Sequence, residues 1–368
     1  MSINSSLSYD PQTDYLEGYE DFGEDIASQP IEAPARHQCD QAMVFMIKGH
    51  RIKDLLCNII KCLQEVGLVP KAIVCDQGAN NMKMRKLLGV TAEKPFIEIN
   101  DEKIYFFHDL PHLIKSVRNN LKKYYFYCNG KLCSWPHIDP FYHKDSKMIP
   151  RLAPKLTKKC ITLPPFSCMR VCLAVRVLSH SVASGILVHV AFNSLPSTAV
   201  NTAEFLEMCD TLFDIFNSSS CKSPKEYRKP LSNNSKHLQK LDEIIECLRK
   251  LIVLNKGKCK PICIQGWIDN IIALKLLWSE LHNDYGFLYL LTRRLTQDCI
   301  ENIFSIIRGK GGNNVNPDAT KFRSALKSVM VNQLFTASDD SNCEIDAATF
   351  LLTHSDLLKC NFKVNVNE

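Results

Sequence analysis

The sequence predicts an α/β protein with a mainly helical block inserted into, or appended to, its strand–helix part. Three observations carry this. Short apolar runs alternate with helix-period stripes between residues 42 and 125. The next hundred and fifty or so residues are almost wholly helical in period, and a last pair of amphipathic segments is divided by a Gly-rich stop at Gly309, Gly311 and Gly312.

The elements follow in order. Residues 1–23 are polar and acidic, and Asp10-Pro11 reads as a turn between extended segments. Residues 24–39, with Pro30 and Pro34, read as a loop. Residues 41–49 (QAMVFMIKG) form the first clear strand, and Ile52, Leu55, Leu56, Ile59, Ile60 and Leu63 stripe a helix after it. In residues 71–89 (KAIVCDQGANNMKMRKLLG), a four-residue run over 72–75 is too short for a helix and ends at a Gly-Asn breaker. It reads as a strand, with Asp76 at its C-terminal end and a helix over about 79–88. Asp76 has two readings from spacing alone: a cap for that helix, or a carboxylate held at a sheet rim where a cation bridges it to substrate. Residues 103–108 (KIYFFH) form another strand, and Asp109-Leu110-Pro111-His112 opens a helix to about 125, with Pro111 in its first turn. Its polar face carries His112, Lys115, Arg118, Asn119 and Lys122, which suits either a solvated face or a phosphate-contacting one.

Residues 124–150 read as irregular. Residues 151–186, 203–217, 237–254 and 268–281 are helical in period, with loops at 163–167 (LPPFS) and 218–234. Ile300, Ile303, Phe304 and Ile307 stripe a helix on which Asp298 and Glu301 stand three apart, a spacing that also fits helix capping. Residues 318–334 form one more amphipathic helix, and the remainder is polar apart from 347–352.

A net charge of +6 permits a polyanionic partner without demanding one. The 17 cysteines are scattered through apolar stretches, and the N-terminus is polar. The expectation is a reducing compartment with free, mostly buried thiols, no secretory leader and no membrane span. The pairs Cys128/Cys133, Cys168/Cys172 and Cys259/Cys263 lack zinc-finger spacing, and Cys168 and Cys172 fall one helical turn apart on a core face. No GxxxxGK[ST] loop is present.

Three separated motifs carry a resemblance: DQGANN at 76–81, HDLPHLIKSVRNNL at 108–121 and LTRRLTQDCIENIFSIIRGKGG at 291–312. Together they resemble P-element-type DNA transposases, including those with an N-terminal THAP zinc finger. The resemblance implies a ribonuclease-H-like core interrupted by a helical GTP-binding insertion. Residues 1–127 would be the first part of the core, 128–287 the insertion, 288–335 the closing catalytic helix and 336–368 a tail. It also implies a two-metal Mg2+ site for cleavage and strand transfer on DNA, with Asp76 as the second acid and Glu301 as the third.

The family's first acid sits on a strand whose Met matches Met1, so that acid is expected upstream of the given start. A further family strand expected after residue 49 is replaced by helix, and no THAP finger pattern is found. The sheet is therefore expected to be incomplete and the catalysis impaired.

In the insertion, LFDIFN at 212–217 aligns Asp214 with the acid that reads guanine, flanked by Phe213 and Asn217. Lys155, Arg170 and Val171 match phosphate or base contacts, and Asp298 also reaches the nucleotide, all by resemblance. The implied cofactors are Mg2+ and GTP. The implied partners are DNA, a guanine nucleotide and a second copy or partner transposase, in the nucleus. The alternative is a non-catalytic module that binds guanine nucleotide, DNA or protein.

Overall fold

The structure is a computed structural model. It describes residues 8–10, 15–17, 51–164, 167–254, 261–312 and 317–332. The strand expected at 41–49 lies outside them. The chain forms two compact units, one of residues 49–297 and one of 1–48 with 298–368.

In the larger unit, α1 (Arg51–Glu65), β3 (Ala72–Cys75), α2 (Ala79–Leu87), β4 (Phe96–Ile99), β5 (Glu102–His108) and α3 (Leu110–Lys123) follow one another. β5 is the middle strand of three, parallel to β3 and antiparallel to β4. It is buried on both faces, so it reads as a continuous apolar run. Tyr105 and Phe107 face the large core built with α3, while Ile104 and Phe106 face a smaller core holding Ile60 of α1 and Met84 of α2. Each such aromatic contributes about 1.5–3 kcal/mol by burial. The β4–β5 hairpin turns through Asn100 and Asp101, both at positive φ, the type I′ geometry that matches strand twist. Gly89, at φ +71, ends α2, with the Val90 N–H donating to Arg85 O.

Residues 124–150 are ordered, against the irregular reading. β6 (Tyr125–Cys128) and β7 (Lys131–Cys133) form a hairpin through Asn129-Gly130, and α4 (Trp135–Asp145) follows. The continuous helical period of 151–186 is broken into α5 (Lys158–Thr162), a 3-10 turn (Ser167–Met169) and α6 (Val171–Val177); α7 (His180–Ala191) then runs on. Val171–Ala191 is long and apolar enough to cross a membrane by composition, contrary to the expectation. Here Leu178 and Ser179 split it, and Val177, Val182 and Ile186 are buried in the protein core.

α8 (Ala199–Phe216), α9 (His237–Lys250) and α10 (Ile262–Asn283) complete the helical layer. The period of 237–254 does not continue to its end, because Ile252–Leu254 becomes β8 and pairs with β6. β-Branched Ile252 and Val253 favour that switch. One hydrophobic cluster runs from Tyr105 and Phe107 through α3, α8, α9 and α10, so sheet and helical layer share a core.

The smaller unit contains an antiparallel pair, β1 (Ser8–Asp10) and β2 (Tyr15–Glu17), as the Asp10-Pro11 turn predicted. It also contains α11 (Asp298–Lys310) and α12 (Ala319–Asn332). Phe304 and Ile307 of α11 pack with Val329 and Phe322 of α12, whereas Ile300 is exposed.

Among the 13 described cysteines, Cys128 and Cys247 form a disulfide. Only Cys75, Cys133, Cys160, Cys209 and Cys263 of the free ones are buried. The other eleven described cysteines are free, as expected, but fewer than half of these are buried. Cys168 and Cys172 are exposed, not on a core face.

Candidate functional site

β3 and β5 run parallel with Cys75 opposite His108, so Asp76 and Asp109 emerge side by side at one rim. The Asp109 N–H donates to Cys75 O at 2.9 Å, extending the ladder to that rim. Asp76 does not cap α2, whose N-cap is Gly78. Its Oδ1 accepts from the Gly78 N–H at 2.8 Å and from Asn81 Nδ2 at 2.7 Å. This is an Asx-type turn, and both bonds fall on the same oxygen. Asp109 caps α3: its Oδ2 accepts from the His112 N–H, and its Oδ1 from the Gln297 N–H at 2.8 Å. The rim is therefore fixed by groups far apart in the chain.

Behind it lies a buried polar cluster that periodicity could not reveal. Arg85 reaches Asp269 at 3.2 Å and lies against the His108 ring. His108 Nε2 is 3.3 Å from the same Asp269 oxygen, and Gln265 donates to the other at 2.9 Å. Burial disfavours protonation of His108. Burial also opposes the Asp269 charge, yet the bonds from His108 and Gln265 and the nearby Arg85 hold its carboxyl below the usual range. Asn270 stands in for a neighbouring strand where β4 has ended. Its Oδ1 accepts from the His108 N–H at 2.7 Å, and its Nδ2 donates to His108 O at 2.8 Å. Gly266 allows this close approach, since a Cβ there would lie 2.7 Å from Leu113 Cδ2. Cys75, beneath the rim, has its thiol pushed up to about 12 by burial.

On the α3 face Lys115 and Arg118 are buried rather than solvated, while His112, Asn119 and Lys122 are part-buried. Arg118 donates to Asn119 Oδ1 and Cys168 O, and Lys122 donates to Ile161 O at 2.6 Å. These cations hold the following segments to the helix, a role set by tertiary partners.

Phe213, Asp214 and Asn217 sit together at the C-terminal end of α8, all buried. Thr292 anchors that end, its Oγ1 donating to Ile215 O and accepting from the Ser218 N–H. Asp214 is ion-paired to Lys225 at 2.7 Å and to Arg228 at 3.2 Å. Lys155 is exposed ahead of α5, while exposed Arg170 and part-buried Val171 open α6. Among the described residues, no hydrogen bond or ion pair joins Lys155 or Arg170 to Asp214. Asp298, buried, and Glu301, part-buried, lie in the first turn of α11, in the smaller unit. No three His, Cys, Asp or Glu side chains group as a metal cluster among the described residues.

Three family models match this chain in order. They are a TNP-like RNase H N-terminal domain over residues 1–89, a TNP-like GTP-binding insertion domain over 111–230, and a TNP-like RNase H C-terminal domain over 294–327. The chain is 29% identical over 339 residues to the transposable element P transposase of Drosophila melanogaster, covering 90% of this chain and 44% of that protein. It is 24% identical over 361 residues to the DNA transposase THAP9 of Homo sapiens, covering 88% and 39%. It thus spans about two fifths of the length of these curated relatives. The solved Drosophila P element transposase strand transfer complex superposes with a TM-score of 0.77 at 26% identity, over 90% of this chain and 75% of that one. The α/β architecture is accordingly a ribonuclease-H-like core with a helical GTP-binding insertion, and the chain belongs to the TNP-like, P-element-type transposase family.

Proposed function

We propose that this chain is the catalytic part of a P-element-like transposase, or a protein derived from one, that acts on DNA in the nucleus with GTP and Mg2+ as cofactors. The observation that carries the reading is Asp76. It stands at the C-terminal rim of β3, within the segment matched by the RNase H N-terminal domain, with one carboxylate oxygen held rigidly by Gly78 and Asn81. A hard, preoriented carboxylate suits Mg2+. Asp76 and Glu301 would hold the metal ions, which supply activation of water or a 3′-hydroxyl and stabilisation of the leaving oxygen. The chain's own part is positioning: the Asx turn orients Asp76, and Asn270 and Gln297 fix the adjoining strand end. With only Asp76 and Glu301 assigned to hold the metal ions, DNA cleavage by this polypeptide is expected to be slow at best.

For the insertion, Asp214 would accept two hydrogen bonds from the guanine N1–H and N2–H groups, beside Phe213 and Asn217. Lys155, Arg170, Val171 and Asp298 would complete the nucleotide contacts. A second copy or a partner transposase would assemble on the same DNA.

Two assays test this. The purified chain should bind GTP in preference to ATP, and Asp214→Ala should abolish the preference; equal binding of the two nucleotides by the wild type overturns the insertion's role. Any Mg2+-dependent nicking of DNA should vanish in Asp76→Ala and in Glu301→Ala. Nicking that survives both changes overturns the catalytic assignment.

A further inference from the structure

Asp214 is an acid in the wrong place to stay charged. Its side chain is 9% exposed, and Asp210 lies one helical turn away. Burial and the Asp210 charge both push its carboxyl upward, and only Lys225 and Arg228 oppose them. The geometry of that opposition is specific. Lys225 Nζ sits 2.7 Å from Asp214 Oδ2 and 3.2 Å from Asp210 Oδ2, bridging the two acids. Arg228 Nε sits 3.2 Å from Asp214 Oδ1. Each oxygen of Asp214 thus has one cationic donor. A carboxylate has about four lone-pair sites, so one acceptor site per oxygen remains.

The protonation state of this acid decides which base it fits. Guanine presents two adjacent donors, N1–H and N2–H. Adenine presents a donor, the N6 amine, beside an acceptor, N1. An ionised carboxylate accepts twice and matches guanine; a protonated carboxyl donates once and accepts once, and matches adenine. We propose that Lys225 and Arg228 are positioning residues that set guanine specificity, by holding Asp214 as a two-acceptor carboxylate while leaving one lone pair on each oxygen for the base. This rests on Asp214 reading the guanine edge.

Other charged groups nearby are few. Glu226 pairs away with Lys236 at 3.3 Å, and the 3-10 turn Thr292–Arg294 packs on the end of α8 through the Arg293 N–H, which donates to Ser218 O. Lys225 is half exposed, so it can be replaced without opening the core.

The test is calorimetric titration of the full chain with GTP and with ATP, from about pH 6 to about pH 8.5. The double variant Lys225→Met/Arg228→Met should lose at least about tenfold of the GTP-over-ATP ratio near neutral pH, through weaker GTP binding, and regain part of it as pH rises. Lys225→Arg should keep the wild-type ratio. A double variant with an unchanged ratio overturns the proposal. So does one that binds GTP more tightly, because the cations would then be blocking the acid. Asp214→Ala separates the two levels: if it keeps the wild-type ratio, Asp214 does not read the base at all, whatever its partners do. Thermal melts of each variant confirm folding, and the Lys225→Arg comparison stands even where the double variant is unstable.

Discussion

Replacing Asn270 by alanine removes both hydrogen bonds that tie α10 to the end of β5. Asn270 and His108 are each 1% exposed, so water cannot replace the lost partners. The His108 N–H and C=O would be left buried and unpaired, at about 1–3 kcal/mol each, or roughly 2–6 kcal/mol together. For a unit of this size, each kcal/mol moves the melting temperature by about 2–4 °C, so the shift should be several degrees or more. Trp135, Trp267 and Trp278 are the chain's three tryptophans, all in the larger unit, and their fluorescence during urea unfolding reports its stability. Leu276→Ala, at an exposed position on the same helix, serves as the control and should stay within about 0.5 kcal/mol. A cost below about 1 kcal/mol for Asn270→Ala would refute the claim that this amide replaces a missing strand edge.

His108, His137 and His237 are buried, and burial lowers each from the ordinary value of 6.5. The unfolded chain then binds more protons than the folded one as pH falls through about 6.5, so stability should decline on the acid side and be restored above it. His237→Gln, away from the β3–β5 rim, should flatten part of that decline in melting temperature measured against pH; an unchanged slope would show that this imidazole is not held neutral. Cys128 and Cys247 are 119 positions apart. A crosslink closing a loop of that length stabilises by about 3–5 kcal/mol in the chain-entropy account. Reduction, or Cys128→Ser, should therefore lower the melting temperature, and both cysteines should resist alkylation in denaturant until a reductant is added. Alkylation without reductant would show that they are free thiols.

The sequence made some elements plain and hid others for physical reasons. β3 and β5 are legible because each is a short apolar run ended by a turn signal, and α1 because one face repeats at helical spacing. β4 is only four residues, Phe96–Ile99, wedged between Pro95 and the Asn100 turn, too short for a period to show. The β6–β7 hairpin carried a readable signal in Asn129-Gly130, which the surrounding Tyr, Trp and Pro obscured. β8 was masked because the apolar spacing of α9 carries on past Lys250.

At the site, Asp76 was visible as an acid after a strand, but its Asx turn depends on Asn81 curling back. Asp269, Asn270 and Gly266 were invisible, since their partners at Arg85, His108 and Leu113 lie more than a hundred and fifty positions away. The α3 cations looked like a surface stripe because nothing local records that Cys168 O and Ile161 O arrive to accept from them.

Whether Asp76 and Glu301 hold the same metal ion, as proposed from the family resemblance, can be read by metal-directed cleavage of the chain. Fe2+ bound in place of Mg2+, with ascorbate and peroxide, cuts the backbone close to where it sits, and needs no DNA cleavage by the protein. A shared centre gives scission beside residue 76 and beside residue 301 in the same chain, competed by Mg2+ and lost at both places in Asp76→Ala. Cutting at one place without the other, or at neither, would contradict it.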